Sequence, residues 1–210
     1  MQLPRVYPIC DTAALAARGG DPVAFAHALI DGGATLLQFR HKGEWRRETV
    51  QALAQVSEAA ARAHCQLVVN DRADLARVFD AGIHVGQHDL APADARRVAG
   101  PAALLGFSTH NEEQLLAAEA APADYLAFGP VFPTRSKQNP DPVVGLDTLR
   151  RLRPLTARPL VAIGGITRET AGLALEAGAD AVAVIAGLMP DEITPDRVRD
   201  RMKAWLEATR

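Results

Sequence analysis

The sequence predicts an α/β protein folded as a single (β/α)8 (TIM) barrel over residues 1–210, and three observations lead there. Short β-rich apolar runs alternate with longer Ala/Leu/Glu/Arg-rich stretches of helical spacing. About eight such runs occur, the number a closed barrel needs, and they recur roughly every 22 to 30 residues, the length of one βα unit. The runs are continuously apolar, as in Leu67-Val68-Val69 and Leu160-Val161-Ala162-Ile163, which suits a parallel sheet covered by helices better than a half-solvated antiparallel one. An open doubly wound sheet fits the same pattern, because strand signals alone do not show closure.

In chain order the strands are predicted over 6–10, 36–40, 67–70, 82–86, 104–108, 125–130, 160–164 and 181–185. The helices are predicted over 22–31, 46–63, 72–80, 92–98, 111–120, 145–152, 167–177 and 195–206. Asp21 before Pro22 and Thr167 three residues before Thr170 are helix-start signals, and Gly82 and Gly178 are read as stops. One long irregular stretch, 132–144, carries Pro133, Pro140 and Pro142; loops of that length in compact domains are usually functional.

Composition narrows the function. With 48% hydrophobic, 23% charged and 5% aromatic residues and a net charge of −2, the chain offers no bulk field for a nucleic acid or an acidic membrane surface. Cys10 and Cys65 are too few for a disulfide framework and lack zinc or redox spacing, so buried free thiols in a reducing compartment are expected. The N-terminal residues carry neither a signal-peptide pattern nor a spanning run. A cytoplasmic protein acting on small molecules is expected, and a homo-oligomer is allowed.

In a barrel the chemistry belongs where strands end and βα loops begin, and polar residues gather at those points. After the second strand, Gln38-Phe39-Arg40-His41-Lys42 alternates so that Gln38, Arg40 and Lys42 point one way. Two cations and an amide suit a phosphate or diphosphate, although a solvated strand end would read the same. Asn70-Asp71-Arg72 and Gly86-Gln87-His88-Asp89 follow the next two strands. Asp71 and Asp89 can converge on a hard cation such as Mg2+, or Asp71 can instead cap the helix beginning at Arg72.

Ser108-Thr109-His110 follows the fifth strand; Ser108 is placed to bond a phosphate oxygen, and Thr109 or Asn111 to cap a helix. Beyond the sixth strand, Thr134, Arg135, Ser136 and Lys137 put two hydroxyls and two cations on a proline-stiffened loop able to close over an anion. Gly164-Gly165-Ile166-Thr167 and Ile185-Ala186-Gly187 occupy the last two loops, where barrels often hold phosphate on backbone amides. His27 and His64 are read as helical packing or surface residues and His84 as a core group, while His41, His88 and His110 lie near the mouth.

These motifs together resemble the thiamine-phosphate synthase family. The matching stretches are Gln38 to Lys42, Asn70 to Arg72, His84 to Asp89, Gly106 to His110, Gly129 to Lys137 and Ala162 to Ile166. The resemblance implies a (β/α)8 barrel that joins a hydroxymethylpyrimidine diphosphate to a thiazole phosphate, giving thiamine monophosphate and pyrophosphate. It implies that Gln38, Arg40, Lys42, Asn70 and Lys137 hold the diphosphate and that Asp71 and Asp89 hold its Mg2+. By the same resemblance, Ser108 is expected by the pyrimidine and diphosphate, and Thr134 and Ser136, with the amides of Gly165, Ile185 and Ala186, are expected to take the thiazole phosphate. Lys137, Arg40 and Ser108 are implied as the catalytic side chains.

The chain departs from the family pattern at three points. Ala186 replaces the usual serine, His41 stands where an acidic residue is common, and Phe128 is bulkier than the usual small aliphatic. Two alternatives share the barrel. One is a thiazole tautomerase, which needs a histidine such as His110 or His41 and no metal. The other is a non-catalytic protein that binds thiamine phosphates.

Overall fold

A computed structural model describes residues 3–134 and 142–210. Eight parallel strands close into a barrel in sequence order, β1 pairing with both β2 and β8. The strands are β1 (Val6–Asp11), β2 (Leu36–Arg40), β3 (Gln66–Asn70), β4 (Gly82–Val85), β5 (Leu105–Thr109), β6 (Tyr125–Phe128), β7 (Leu160–Ile163) and β8 (Ala181–Val184). Closure removes the open-sheet alternative and leaves no strand edge unpaired. The surrounding helices are α1 (Thr12–Ala16), α2 (Pro22–Asp31), α3 (Arg47–Arg62), α4 (Ala73–Val78), α5 (Pro92–Ala99), α6 (Glu112–Ala118), α7 (Gly145–Leu152), α8 (Arg168–Glu176) and α9 (Pro195–Ala208).

Two apolar cores follow from the period-2 alternation of strand side chains. The barrel interior is filled by residues such as Tyr7, Ile9, Leu36, Val68, Tyr125 and Val161. Their strand neighbours, among them Val6, Cys10, Leu37, Phe39, Val69 and Leu126, face outward into a larger sleeve shared with the helices. Phe128 belongs to that sleeve, so its bulk stays out of the barrel mouth. Cys10 and Cys65 are buried and unbridged. Burial pushes the Cys10 thiol far up and the Cys65 thiol up to about 12, leaving both poorly nucleophilic.

Element ends show where local chemistry acts. Asp21 caps α2 by accepting from the Ala24 amide at 2.7 Å, and Thr167 and Thr170 form a capping box on α8. Asn111, rather than Thr109, caps α6, accepting from the Gln114 amide at 2.9 Å. Thr109 is buried in the barrel wall and donates to the Ala127 carbonyl. Gly82 is not a helix stop: it lies inside β4, and the left-handed residue after α4 is Asp80 (φ 48°). His64 sits just past α3 in the left-handed region (φ 54°). Strand β6 ends two residues earlier than expected, at the cis Gly129-Pro130 bond. Helix α1 carries no signal of its own, since five residues are too few for a periodicity. Among the described residues no helix is long and apolar enough to cross a membrane.

Candidate active site at the carboxyl end of the barrel

The described site residues predicted from the sequence lie at or beyond the carboxyl ends of strands, except Gln38 in the middle of β2, so parallel closure turns them toward one mouth. On β2, Leu36 faces the barrel interior while Leu37 and Phe39 face the sleeve; this parity turns Gln38 and Arg40 inward. Arg40 is tied to the buried Asp11 carboxylate at the end of β1. The other Asp11 oxygen accepts from the Ala14 amide at 2.9 Å, capping α1. Helix α1 thus fixes the carboxylate that fixes the arginine.

Lys42 reaches across to the next loops. Its Nζ donates to Asp71 Oδ2 at 2.5 Å and lies 3.8 Å from Asp89 Oδ1. Asp71 is not the cap of α4: Arg72 holds that position, without a side-chain cap bond. Asp71 itself sits at φ 63°, a strained conformation for a residue bearing a Cβ. Asp89 is held by a tight turn in which its Oδ2 accepts from the Gly86 amide at 2.8 Å.

Burial, then the neighbouring Asp89 carboxyl, push the Asp71 carboxyl up to about 6 against the pull of Lys42. Burial also opposes ionisation of Asp89, but hydrogen bonds from Asp71 and the Gly86 amide, with Lys42 nearby, outweigh it and hold Asp89 below the usual range. The pair is therefore a crowded anionic site with Lys42 as its counter-cation. Among the described residues no cluster of three or more His, Cys, Asp or Glu side chains forms a full metal cage. Two hard carboxylates fit Mg2+, which takes few protein ligands and completes its shell with water and substrate phosphate.

Asn70 adds a second indication of a ligand. The residue is 5% exposed, and its buried Nδ2 has no hydrogen-bond partner among the described residues. An orphaned buried donor costs about 1–3 kcal/mol, and here it stands beside Asp71, at the mouth.

Below the charged row a polar chain runs through the barrel interior. Gln38 Nε2 donates to the Tyr7 hydroxyl at 3.0 Å, and the Tyr7 and Tyr125 hydroxyls are 2.9 Å apart. Tyr125 lies 3.0 Å from His84 Nδ1, and His84 Nε2 lies 2.8 Å from Ser108 Oγ. Burial, the largest cause, drives both tyrosine pKa values up, so the phenols stay neutral. The chain connects two predicted site residues, Gln38 and Ser108, through Tyr7, Tyr125 and His84, none of them a predicted site residue. Strand parity is the signal that would have found Tyr7, which shares the inward face of β1 with Ile9 and Asp11.

Gly106 makes room for this chain. A Cβ there would lie 2.1 Å from Tyr125 Cζ and 2.4 Å from His84 Nδ1. Gly106→Ala should destabilise the fold by roughly 1–3 kcal/mol in denaturant melts, the usual cost of overpacking; an unchanged midpoint would contradict the tight fit.

The remaining predicted residues are partly placed. Gly164 (φ 97°) and Gly165 (φ 65°) make the turn after β7, and a Cβ on Gly165 would collide with the Pro133 carbonyl at 2.3 Å. The start of the β6 loop thus lies directly on this turn, with Phe132 donating to the Gly164 carbonyl at 3.0 Å. Thr134 closes that stretch, while Ser136 and Lys137 lie outside the described residues. Ile185 precedes a short 3-10 turn, Ala186–Leu188, in which Ala186 is exposed. His110 Nδ1 faces the Gly129 carbonyl at 2.7 Å, and His41 pairs with Thr12.

At the opposite end of the barrel a groove of about 610 Å3 is lined by Arg5, Pro159, Asp180 and Arg210, among others. It is remote from the acidic pair and from the polar chain.

Comparison with known proteins agrees with this geometry. A sequence model described as thiamine monophosphate synthase matches residues 6–188. A thiamine-phosphate synthase of Koribacter versatilis is 50% identical over 197 residues, covering 91% of this chain and 92% of its own. One of Chloroflexus aurantiacus is 40% identical over 192 residues, covering 90% and 88%. The solved thiamine phosphate pyrophosphorylase of Pyrococcus furiosus superposes with a TM-score of 0.84 at 30% identity, over 98% of this chain and 95% of that one. A match of this extent in both sequence and fold, on a barrel whose mouth carries the expected motifs, establishes that the chain belongs to the thiamine monophosphate synthase family.

Proposed function

We propose that the protein is a magnesium-dependent transferase that couples 4-amino-2-methyl-5-hydroxymethylpyrimidine diphosphate to a hydroxyethylthiazole phosphate, forming thiamine monophosphate and pyrophosphate. The observation that carries this reading is the buried Nδ2 of Asn70, without a partner among the described residues, beside the Lys42, Asp71 and Asp89 cluster. A diphosphate oxygen would satisfy that amide, and two carboxylates that share the single charge of Lys42 leave room for a hard cation. A tautomerase has no use for either. Two buried free thiols suit the reducing cytoplasm.

The reaction breaks the pyrimidine methylene C–O bond, whose electron pair leaves with pyrophosphate. The ring amino group feeds density to the methylene carbon, and the thiazole nitrogen donates its lone pair to form the new C–N bond. The nitrogen becomes quaternary without losing a proton, so neither a general base nor a covalent nucleophile is required. Asp71 and Asp89 would hold Mg2+, which when bound would neutralise charge at the leaving diphosphate. Arg40 and Lys42 add two fixed positive charges, and the Asp11 contact keeps the guanidinium from wandering.

Ser108, oriented through His84, and Gln38, anchored on Tyr7, set the pyrimidine and its diphosphate against the nucleophile. Lys137 is assigned to the diphosphate. Thr134 and Ser136, with the amides of Gly165, Ile185 and Ala186, are assigned to the thiazole phosphate.

The test is to give purified protein both substrates and identify the product by mass. Thiamine monophosphate is expected; isomerisation of a carboxylated thiazole phosphate without the pyrimidine substrate would indicate the tautomerase instead. Ala186→Ser tests the acceptor site. A hydroxyl returned to this exposed position should lower KM for the thiazole phosphate by roughly three- to tenfold at similar kcat, the net value of one ordinary, solvent-exposed hydrogen bond. An unchanged KM would show that the backbone amide suffices.

A further inference from the structure

His41, between Arg40 and Lys42, faces away from their shared target and makes contacts that the proposed reaction does not use. Its Nδ1 lies 2.7 Å from Thr12 Oγ1, at the start of α1 beside Asp11. Its Nε2 lies 3.1 Å from the Glu44 carbonyl, within its own loop. A carbonyl only accepts, so Nε2 carries the proton, and the Thr12 hydroxyl donates to Nδ1. Gly43 allows the ring this place: a Cβ there would stand 2.9 Å from Nε2 and 3.0 Å from Cε1.

The contacts continue to the next loop. The His41 ring meets Trp45 edge to face at 5.1 Å between centroids, and Trp45 packs on Phe39 of the sleeve at 6.2 Å. Above the indole, 5.3 Å from its centroid, lies the guanidinium of Arg72, a cation–π distance. Arg72 follows Asp71 in sequence and is itself fixed by two hydrogen bonds to Asp74, at 2.8 and 2.6 Å.

Three neighbouring loops are therefore tied together behind the charged row. One follows Asp11 at the end of β1, one follows Arg40 at the end of β2 and carries Lys42, and one follows Asn70 at the end of β3 and carries Asp71. We propose that His41 is a positioning residue, the centre of a clasp with Thr12, Gly43, Trp45 and Arg72 that sets the spacing of the diphosphate-binding cations and the acidic pair. The proposal rests on the transferase reading for the identity of the ligand.

The test compares His41→Ala, His41→Gln and Gly43→Ala with the parent protein. Glutamine offers a donor and an acceptor at about the spacing of the ring nitrogens, and Gly43→Ala displaces the ring while keeping the histidine. His41→Ala and Gly43→Ala should raise KM for the pyrimidine diphosphate roughly tenfold, the value of about two hydrogen bonds, with KM for the thiazole phosphate unchanged. His41→Gln should recover most of the loss. Calorimetric binding of inorganic pyrophosphate with Mg2+ should weaken in parallel, and this arm needs no turnover.

Folded variants with unchanged pyrophosphate affinity would overturn the clasp, as would an equal rise in both KM values. A parent protein that binds Mg2+ and pyrophosphate but makes no product would overturn the transferase reading and leave the clasp to the binding arm.

Discussion

Asp71→Asn should lower turnover by about 10³-fold, the several kcal/mol expected when a metal-borne charge is lost from a transition state, and yet raise the stability of the metal-free protein. The gain follows from the carboxyl being pushed up to about 6, first by burial and then by Asp89. Because the folded-state pKa lies above the ordinary 3.8, the folded protein holds this proton more tightly than the unfolded chain. Wild-type stability then rises as pH falls through about 6 toward 3.8, and at neutral pH the ionised Asp71 is a net cost.

Asparagine removes the charge and tolerates the left-handed backbone at φ 63°. A rise in Tm of roughly 1–4 °C at neutral pH is expected, with a flatter stability profile between pH 4 and pH 6. Retained metal-dependent turnover would remove Asp71 from the metal site.

Arg40→Met should cost about 3–5 kcal/mol of stability, because it leaves the buried Asp11 carboxylate without its partner. Activity should fall with it, since the same guanidinium is assigned to the leaving diphosphate. The two effects are separable. Adding Asp11→Asn to Arg40→Met neutralises the stranded charge while keeping an oxygen to cap α1, so denaturant melts of the double variant should recover much of the loss without recovering turnover. A double variant as unstable as Arg40→Met alone would show that packing, rather than charge, sets the cost.

The barrel was legible because each strand is a short apolar run and each following loop opens with polar residues or glycine. Gln38, Arg40 and Lys42 were readable as one face from strand parity, and the acidic pair from two neighbouring strand ends. What the sequence hid depends on closure. Lys42 and Asp71 are 29 residues apart, and Tyr7 and Tyr125 are 118 apart; no local pattern announces either contact. Asp11 reads as the end of an apolar run until α1 folds back and shows it to be a cap and a counter-ion at once. The stop assigned to Gly82 misplaced the role of glycine: a Cβ there would meet the Leu104 carbonyl at 2.7 Å, so the residue serves strand packing. Ser136 and Lys137 remain assignments from motif order alone.

Pyrophosphate release measured against Mg2+ concentration, in the wild type and in Asp71→Asn and Asp89→Asn, tests the central claim most directly. With both substrates present, the wild type should release pyrophosphate in proportion to thiamine monophosphate formed, saturating with Mg2+ and stopping when a chelator removes it. Both variants should be nearly silent at the same metal concentration. Release that survives the chelator, or that proceeds at the wild-type rate in both variants, would contradict a metal-diphosphate site built on Asp71 and Asp89.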